Sequence, residues 1–526
     1  MKYKIKKTHT TQDARLVRSI GVQKSLLTIA VASAVSSMSL NAHALSYEFG
    51  EVMVDWDNTV GYSAAWRAKD QDKNALANVN GDDGNRNFDK GAMVANRASL
   101  LSEVSVQYRD FGAFVRGSAF YDDVYFGKTD NDLTGNAGFN DNTQAVHAKD
   151  ARLLDAFVYG NFDVLDRNLN VRVGRQVVSW GESLFISGIS SSMSPADGTK
   201  SNVPGIEVKD ILLPVGQVFA QIDLTENLAL SAYSQWEWAK TEINEAGSYF
   251  STSDILDEAG EVFLLPTGNS NFPYLPVSRN EALDKEASDS GQYGIALNYY
   301  AENVGNGTEF GLYYLNYHDK SPTMVMDSVA TSPIPVSYHL EYLENVKLIG
   351  TSVGTLVGET NVGAELSYRK GAVVLDPSNL NDRDDTIQAQ LSFTHSFGVT
   401  SFADDVIFSG EVGYNRLLGA DTSKLREGEE LEGSGLAGLV TLSYNSVFPG
   451  IDMEVPISFR HNIKGHSKAG NFTSTANNSD RASVGAKFIY QGGLEFALNY
   501  SAFFGDYEDN AITDRDYVSF NAKYSF

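Results

Sequence analysis

One repeating unit runs through most of this chain and limits what it can fold into. Apolar and polar side chains alternate over stretches of roughly 9 to 14 residues, as where Val362, Ala364 and Leu366 alternate with Gly363 and Glu365. A period of two is typical of a β-strand whose two faces meet different surroundings. We identify about 18 such strands and no apolar run in residues 45–526 that is long enough for a membrane helix. The chain is therefore predicted to be all-β.

The connections between these strands alternate in length. Many turns are short, at Asp110 and at residues 225–227, 449–450 and 492–493. The intervening connections are often long and polar, and the longest cover residues 69–98, 124–150, 180–214 and 240–291. With an even number of strands, both chain ends and the short turns lie at one end of the sheet. This arrangement is typical of bacterial outer-membrane barrels.

Closure distinguishes a barrel from a soluble β-sandwich. A sandwich also alternates, but this many strands would need several sheets joined by linkers, and we find no linker. In lipid an open sheet edge leaves backbone groups unpaired at several kcal/mol each, so only a closed ring is stable there. The last strand, residues 517–526, alternates up to Phe526 and resembles the closing strand that the barrel-assembly machinery recognises. We predict a transmembrane antiparallel β-barrel of about 16 to 18 strands.

Residues 1–44 have the features of a secretory signal peptide. Basic residues precede an apolar run at 26–35, and residues 42–44 form a small-x-small cleavage site. We expect export to the bacterial outer membrane and a single barrel over residues 45–526. The absence of Cys excludes lipid attachment at Cys, disulfides and thiolate metal sites, and the net charge of −26 argues against nucleic acid as a partner. The expected partners are outer-membrane lipids and lipopolysaccharide, the barrel-assembly machinery and a small-molecule permeant.

The charged faces of the strands are predicted to line the lumen, which in a ring of this size is an aqueous channel unless something fills it. The residues assigned to the lumen are Glu103, Arg109, Arg116, Arg172, Glu365, Arg369, Glu411, Glu454, Arg460, Lys487, Glu495 and Lys523. Two interpretations stay open. Either the charges only neutralise one another and brace the wall, or the arginines bind an anionic group of a permeant.

Residues 174–215 depart most from the barrel pattern. Alternation ends at Trp180, and a long stretch rich in Gly, Ser and Pro follows that is too irregular for a plain hairpin loop. Its apolar residues include Leu184, Phe185 and Ile186, and the nearest place to bury them is the lumen. We predict that residues 180–214 fold inward as a constriction or partial plug; the alternative is packing over the outer rim. The candidate constriction residues are Arg175, Trp180, Glu182, Phe185, Ile186, Pro204, Glu207 and Lys209.

The long loop at residues 240–291 carries two apolar clusters where a solvated loop would be polar. The residues concerned are Phe263, Leu264, Leu265, Phe272, Tyr274 and Leu275. Exposed apolar patches usually contact something. The clusters either capture a hydrophobic ligand above the pore or pack against one another and neighbouring loops.

Two further motifs concern chemistry. Residues 350–354 match the G-x-S-x-G nucleophile pattern around Ser352, but the predicted strand continues through the motif where a nucleophile elbow would turn. Oxygen-bearing side chains that suit Ca²⁺ or Mg²⁺ crowd one loop: Asp70, Asp72, Asn78, Asn80, Asp82, Asp83 and Asp89. The run lacks the spacing of an EF-hand, so we predict no cofactor beyond a loosely bound divalent ion, and no enzyme.

The chain resembles a family of proteobacterial outer-membrane proteins labelled only as domain of unknown function 1302. The residues that carry the resemblance are 174–176, 179–183, 204–209 and 212–215, with 87–89 and 114–117. The resemblance implies uptake of hydrophobic molecules such as sterols, aromatic esters and lipids, beside inner-membrane exporters of the resistance-nodulation-division type.

Three functional hypotheses follow. The first is a monomeric or trimeric outer-membrane channel for a hydrophobic or amphipathic small molecule. The second is a general diffusion porin for small polar solutes. The third is an outer-membrane lipase in which the barrel is a scaffold and Ser352 the candidate nucleophile.

Overall fold

The computed structural model describes residues 45–526 apart from 204–210, 329–333, 377, 421, 426–427, 471–479 and 491–492. Within these residues the strands are β1 (Leu45–Phe49), β2 (Val52–Arg67), β3 (Met93–Tyr108), β4 (Phe111–Asp122), β5 (Lys149–Val164), β6 (Arg167–Gln176), β7 (Val215–Thr225), β8 (Leu228–Gln235), β9 (Val262–Asn269), β10 (Phe272–Ser278), β11 (Tyr293–Ala301), β12 (Thr308–Tyr317), β13 (Thr323–Asp327), β14 (Ser337–Glu341), β15 (Val346–Val357), β16 (Thr360–Asp376), β17 (Asn379–Ser396), β18 (Asp405–Leu417), β19 (Glu432–Phe448), β20 (Ile451–Lys464), β21 (Asp480–Tyr490), β22 (Leu494–Phe504) and β23 (Tyr517–Ser525). Among the described residues, three short α-helices lie in the long loops, beside several single-turn 3-10 helices: α1 (Lys73–Ala77), α2 (Asp83–Arg86) and α3 (Asp141–His147).

Eighteen of the described strands close into one antiparallel barrel. The ring runs through β2 to β8, β11, β12 and β15 to β23, each paired with its neighbour along the chain. β23 then pairs with the second half of β2, from Tyr517 opposite Arg67 to Ser525 opposite Thr59. β1 pairs with the first half of β2. The predicted all-β barrel and its strand number are confirmed.

No helix among the described residues is long and apolar enough to cross a membrane.

The side chains of the barrel are arranged in the opposite way to those of a soluble protein. On β16, the outward Leu366 is 46% exposed, whereas its inward neighbours Glu365 and Ser367 are 5% and 3% exposed. The same contrast holds on β17 between the exposed Leu391 and the buried Gln390 and Ser392. Exposed apolar side chains outside and buried polar side chains inside suit a barrel whose outer face meets lipid.

The described strands differ from the prediction mainly at their outer ends. In the sequence, alternation ends near Lys370 and resumes near Thr386, but β16 and β17 continue as one long hairpin to Asp376 and Asn379. The pairing register shifts between Arg369 and Val373, and such a bulge interrupts the alternation that marks a strand in the sequence.

A buried arginine ties the outer loops together. Arg67, at the end of β2, donates to the backbone oxygens of Asn85 at 3.1 Å and Phe88 at 2.8 Å, and forms a 3.0 Å ion pair with Asp514. Both side chains of the pair are almost fully buried. Arg515 donates in addition to the backbone oxygen of Gly84 at 2.7 Å. The loop after β2 is therefore fixed to the loop before β23, next to the seam that closes the ring.

Replacing Arg67 by Met should lower the free energy of unfolding by about 3 to 5 kcal/mol, because a buried ion pair is broken and the buried Asp514 keeps only Arg515, 3.2 Å away, as its cation. Lys90→Met is the matched control, since Lys90 forms an exposed ion pair with Asp70 and its loss should cost about 0 to 1 kcal/mol. Urea unfolding in detergent, followed by the loss of the compact gel band, measures both. Equal losses of unfolding free energy in the two variants would contradict the structural role of Arg67.

Candidate functional site

The centre of the candidate site is residues 182–193, here called the constriction segment, in the connection between β6 and β7. The polar contacts of residues 182–189 lie on the inward faces of β16, β17 and β18. β17 is seven strands away from β6 in the ring of eighteen described strands. The segment therefore lies inside the barrel, along the wall opposite its point of entry, and does not pack over the rim.

Two wall carboxylates hold the backbone of the segment. Glu411 Oε2 accepts the backbone N–H groups of Leu184, Phe185 and Ile186 at 3.2, 2.5 and 2.7 Å. Glu365 accepts the N–H groups of Glu182 and Ser183 through Oε1 and that of Ile189 through Oε2. Hydrogen bonds to an ionised acceptor are roughly twice as strong as neutral ones. These two side chains therefore replace the regular secondary structure that the segment lacks.

The carbonyl groups of the segment are also satisfied by the wall. Arg369 donates to Gly188 at 2.9 Å, Gln388 to Ser187 at 2.7 Å and Ser392 to Glu182 at 3.0 Å. At the other end, Gln235 donates to Met193 at 2.7 Å and the buried Lys320 donates to Ser192 at 3.0 Å. Buried backbone groups must be paired, and here the pairing fixes the path of an irregular loop.

Gly181 allows the segment to come this close. Its φ is +105°, which a residue with a side chain rarely adopts, and a Cβ atom there would overlap the carboxylate of Glu365. On the wall, a Cβ at Gly363 would lie 2.9 Å from Glu182 Cβ, and one at Gly350 would lie 2.8 Å from Ile189 Cδ1. The Trp180-Gly181-Glu182 motif therefore needs glycine at its centre for steric reasons.

The apolar side of the connection packs on an apolar part of the inner wall. Trp180 lies with its ring centroid 5.2 Å from that of Tyr233 on β8 and 6.1 Å from that of Tyr313 on β12. The surrounding buried cluster contains Val178, Ile189, Met193, Phe219, Ala296, Leu315, Tyr317, Leu343, Val346 and Leu348. Trp180 thus packs on strands β7 to β15 inside the barrel.

Two apolar side chains of the segment are nevertheless not buried. Leu184 is 48% exposed and Phe185 is 37% exposed, whereas Ile186 is 2% exposed. Their backbone N–H groups are fixed on Glu411, so these side chains stand toward the remaining space of the lumen. The segment therefore presents an apolar surface there.

The predicted constriction residues divide into three groups. Trp180, Glu182, Phe185 and Ile186 lie in or beside the constriction segment, as described above. Arg175 does not: it lies on the opposite face of β6 from Arg172 and forms an ion pair with Glu237. Alternation on β6 continues through Gln176, so a three-residue step from Arg172 reverses the side-chain direction. Pro204, Glu207 and Lys209 lie outside the described residues.

Most of the predicted lumen charges lie at inward positions, and several of them form ion pairs. Arg116 contacts Asp155 at 2.6 Å, and Glu103 lies opposite Arg116 in register. Lys487 contacts Glu454 at 3.0 Å and Glu495 at 3.8 Å. In the same group Lys523 contacts Glu495 at 3.6 Å, and the Arg172 guanidinium lies 4.4 Å from the ring centre of Phe219.

The lumen assignment of Arg109 was wrong. β3 ends at Tyr108, and Arg109 lies in the following tight turn with a φ of +53°. Its side chain is exposed and pairs with Glu51 in the neighbouring turn. The residue continues the alternation of the strand in sequence, which is why counting by twos assigned it to the wall.

Several wall residues that hold the segment were missed. Gln388, Gln390 and Ser392 occupy successive inward positions on β17, and Gln235 and Lys320 hold the far end. The polar run at every second position of β17 was visible in the sequence. Charge alone does not mark Gln388, Gln390 and Ser392, and Lys320 lies beyond the end of β12.

The apolar residues of the loop at residues 240–291 lie on a hairpin formed by β9 and β10. Phe263 and Leu265 pack on a small buried cluster with Val277, Tyr338 and Leu340. Phe272 and Tyr274 are exposed. The backbone of Leu264 is held by both amide atoms of Asn80, and Leu275 lies opposite Leu265 in the hairpin. Part of the set therefore stabilises the loops, and Phe272 and Tyr274 stay available for contact.

Most of the oxygen-bearing residues in the first loop have structural roles. Asp72 caps α1, Asn78 bonds Tyr507, Asp70 pairs with Lys90 and Asp89 accepts from Gln71. Asp82 and Asp83 instead lie beside Asp254 of the loop at residues 240–291. One carboxylate oxygen of each lies within 4.8 Å of the others. Burial, with the neighbouring Asp83 carboxyl next in weight, raises the pKa of Asp254 to about 7. Whether a divalent ion binds these three carboxylates stays a prediction.

Ser352 lies in the middle of β15, paired on both sides with Gly311 and Glu365. Its hydroxyl lies 2.8 Å from that of Tyr313. A nucleophile elbow needs a sharp turn from strand to helix, and this serine lies in an uninterrupted strand.

Changing Glu365 and Glu411 together to Gln should loosen the constriction segment, because the charge-assisted hydrogen bonds to six N–H groups become weaker neutral ones. A nitroxide attached at Ser187→Cys, in a chain with no other Cys, should then show greater mobility by electron paramagnetic resonance. Glu495→Gln is the control, since Glu495 pairs with Lys487 and Lys523 away from the segment. Unchanged mobility in the double variant would refute the role of the two carboxylates.

The stability of the contact between the loops at residues 69–98 and 240–291 should depend on pH. A carboxyl whose pKa is raised on folding binds its proton more tightly in the folded state, so the packing around Asp254 should gain stability as pH falls from about 7 toward 4. The melting temperature of the parent should therefore rise more between pH 8.0 and 5.5 than that of Asp254→Asn. Asp89→Asn should behave like the parent. If Ca²⁺ is bound, it should stabilise the parent at pH 8.0 and have less effect on Asp254→Asn.

The family model described as "Protein of unknown function (DUF1302)" matches residues 25–526. No curated protein matches the chain significantly. Among solved structures, the chain is similar to OpdK of Pseudomonas aeruginosa crystallised with vanillate, at 12% identity and a TM-score of 0.41 over 90% of this chain and 98% of that one.

OccAB1 of Acinetobacter baumannii is similar at 10% identity and a TM-score of 0.43, over 93% of this chain and 99% of that one. Salmonella typhi OmpF in complex with daunomycin is similar at 8% identity and a TM-score of 0.38, over 92% and 100%. Similarity at this level does not extend to ligands. The family match covers nearly the whole sequence and confirms the resemblance found in its motifs: the chain belongs to the DUF1302 family.

Proposed function

We propose that the protein is a bacterial outer-membrane channel that passes hydrophobic or amphipathic small molecules. The observation that carries this proposal is the constriction segment, which is fixed inside a closed barrel by wall side chains and exposes Leu184 and Phe185 to the lumen.

The membrane location is supported by the outer face of the barrel. Outward positions on successive strands carry exposed apolar side chains, among them Ile295, Leu312, Ile349, Leu366, Leu391 and Val412. Such a surface would aggregate in water, and it matches the hydrocarbon core of a bilayer. The ring also leaves no sheet edge in lipid, because β23 pairs with β2.

The amphipathic character of the permeant is supported by the two sides of the free lumen. One side is the constriction segment with its exposed apolar side chains. The other is the polar wall of β19 to β23, where Lys487, Glu454 and Glu495 are paired with one another. A solute with both an apolar and a polar part would find a partner on each side. Phe272 and Tyr274 on the β9 to β10 hairpin add an exposed apolar contact among the long loops.

General diffusion of polar solutes is the competing function, and the paired charges of the wall would suit it. The two functions differ in what the intact protein lets through. A general porin passes ions and small sugars steadily, whereas a channel narrowed by an apolar segment passes few ions and admits hydrophobic probes.

Deleting residues 180–203 should raise single-channel ion conductance and swelling of proteoliposomes in a pentose, because the material that narrows the lumen is removed. The intact protein should show low values in both assays. In cells with an intact lipopolysaccharide layer, its expression should speed entry of the hydrophobic probe N-phenyl-1-naphthylamine.

Gel mobility with and without heating establishes that the deleted protein still forms a barrel. High conductance and swelling for the intact protein, with no effect on the hydrophobic probe, would support the general porin. An unchanged conductance after deletion would refute the constriction.

A further inference from the structure

We infer that Arg460 and Arg481 form a carboxylate-binding site in the lumen, so that the permeant of this channel is an anionic amphipath. The inference rests on the proposed function and narrows its substrate class.

The two arginines lie side by side on the inner wall. Arg460 on β20 is directly opposite Arg481 on β21, in register with the inward pair Ser458 and Ser483. Side chains at directly opposed positions are about 5 Å apart at their Cβ atoms, and like charges there destabilise the sheet. Both side chains are half-buried. The fold therefore keeps two cations together at a cost.

Neither guanidinium forms an ion pair with a carboxylate of the described residues. Other inward cations do, as Arg116 does with Asp155 at 2.6 Å and Lys487 with Glu454 at 3.0 Å. The chain has 67 acidic and 41 basic residues, so acids to neutralise the pair are abundant in the sequence. Inward cations without an ion pair have other partners: Arg369 and Lys320 donate to backbone oxygens of the constriction segment, and Arg172 lies over the ring of Phe219. Among the described residues no carboxylate forms an ion pair with the two arginines, which suits binding of an external anion.

The constriction connection orients one of the arginines. Arg481 Nη1 donates to Asn202 Oδ1 at 2.8 Å, and the backbone oxygen of Asn202 accepts the hydroxyl of Tyr517 at 3.2 Å. The returning part of the connection thus touches the wall at the arginine pair.

The arginine pair lies close, along the wall, to the carboxylate that holds the backbone of the exposed apolar residues. In register, Glu411 is opposite Ala437, and Ala437 is opposite Arg460. Two strand spacings separate Glu411 from Arg460, which is about 10 Å along the wall. Glu411 holds the backbone of Leu184 and Phe185. Ala437, between Glu411 and Arg460, has a small side chain that projects little into the lumen.

This spacing defines the ligand. A guanidinium binds a carboxylate through two parallel hydrogen bonds, and two guanidinium groups can share its oxygens. An apolar chain of about 10 Å attached to that carboxylate would reach Leu184 and Phe185. A medium-chain carboxylate such as octanoate has this form, whereas octanamide has the same chain without the charge.

Isothermal titration calorimetry with the protein in lipid nanodiscs, and empty nanodiscs as reference, tests the site. The parent should bind octanoate at least tenfold more tightly than octanamide, as expected for charge-assisted hydrogen bonds. Arg460→Met with Arg481→Met should lose about tenfold or more of the octanoate affinity and leave octanamide unchanged. Lys487→Met, which removes a paired lumen cation, should keep the preference for octanoate.

Equal affinity of the parent for the two ligands, or an equal loss in Lys487→Met, would overturn the inference. If the double variant does not fold, as judged by gel mobility, Arg460→Gln gives the same comparison. Failure of the proposed function would be seen separately, as no effect of the intact protein on entry of the hydrophobic probe. A channel that admits the probe but does not prefer octanoate refutes only the arginine site.

Discussion

The structure depends on one constraint: in lipid, backbone N–H and C=O groups have no water to bond and must find partners within the protein. The closed ring of β2 to β23 satisfies this rule for the wall. The same constraint acts within the lumen wherever water is displaced. Residues 182–193 have little regular structure, so their backbone groups are paired by side chains of the wall, above all by Glu365 and Glu411. In the sequence these wall charges are typical of residues that line a channel. In this part of the barrel they instead hold the backbone of a loop.

The inner wall is accordingly divided into two parts. From β7 to β15 it is apolar, with Phe219, Tyr233 and Leu348 covered by the connection that follows β6. From β19 to β23 it is polar and charged. The constriction segment is held on β16 to β18, between these parts, and carries the exposed side chains of Leu184 and Phe185. An aqueous channel for ions alone would have no need of Leu184 and Phe185 at this point, and this asymmetry is the physical reason for preferring an amphipathic permeant.

The barrel could be predicted from the sequence, because successive side chains of a strand point alternately to the lumen and to the outer face. The period of two in the sequence records this alternation directly. The prediction failed where that period is interrupted. The bulge after Arg369 hid the outer halves of β16 and β17, and the turn after Tyr108 reversed the direction of Arg109. The inward path of the connection could be predicted from its apolar residues, but its partners could not. Contacts such as Arg67 with Asp514, 447 residues apart, depend on closure of the ring and carry no local signal.

The reversal of side chains on the barrel is the claim on which the rest depends, and spin-label scanning of β16 in proteoliposomes tests it most directly. Nitroxides placed one at a time on residues 361–369 report collisions with oxygen, which concentrates in lipid, and with a polar nickel chelate, which does not enter it. The account predicts oxygen maxima at Val362, Ala364, Leu366 and Tyr368 and minima at the positions between them. Accessibility without a period of two, or oxygen maxima at Glu365 and Ser367, would contradict it.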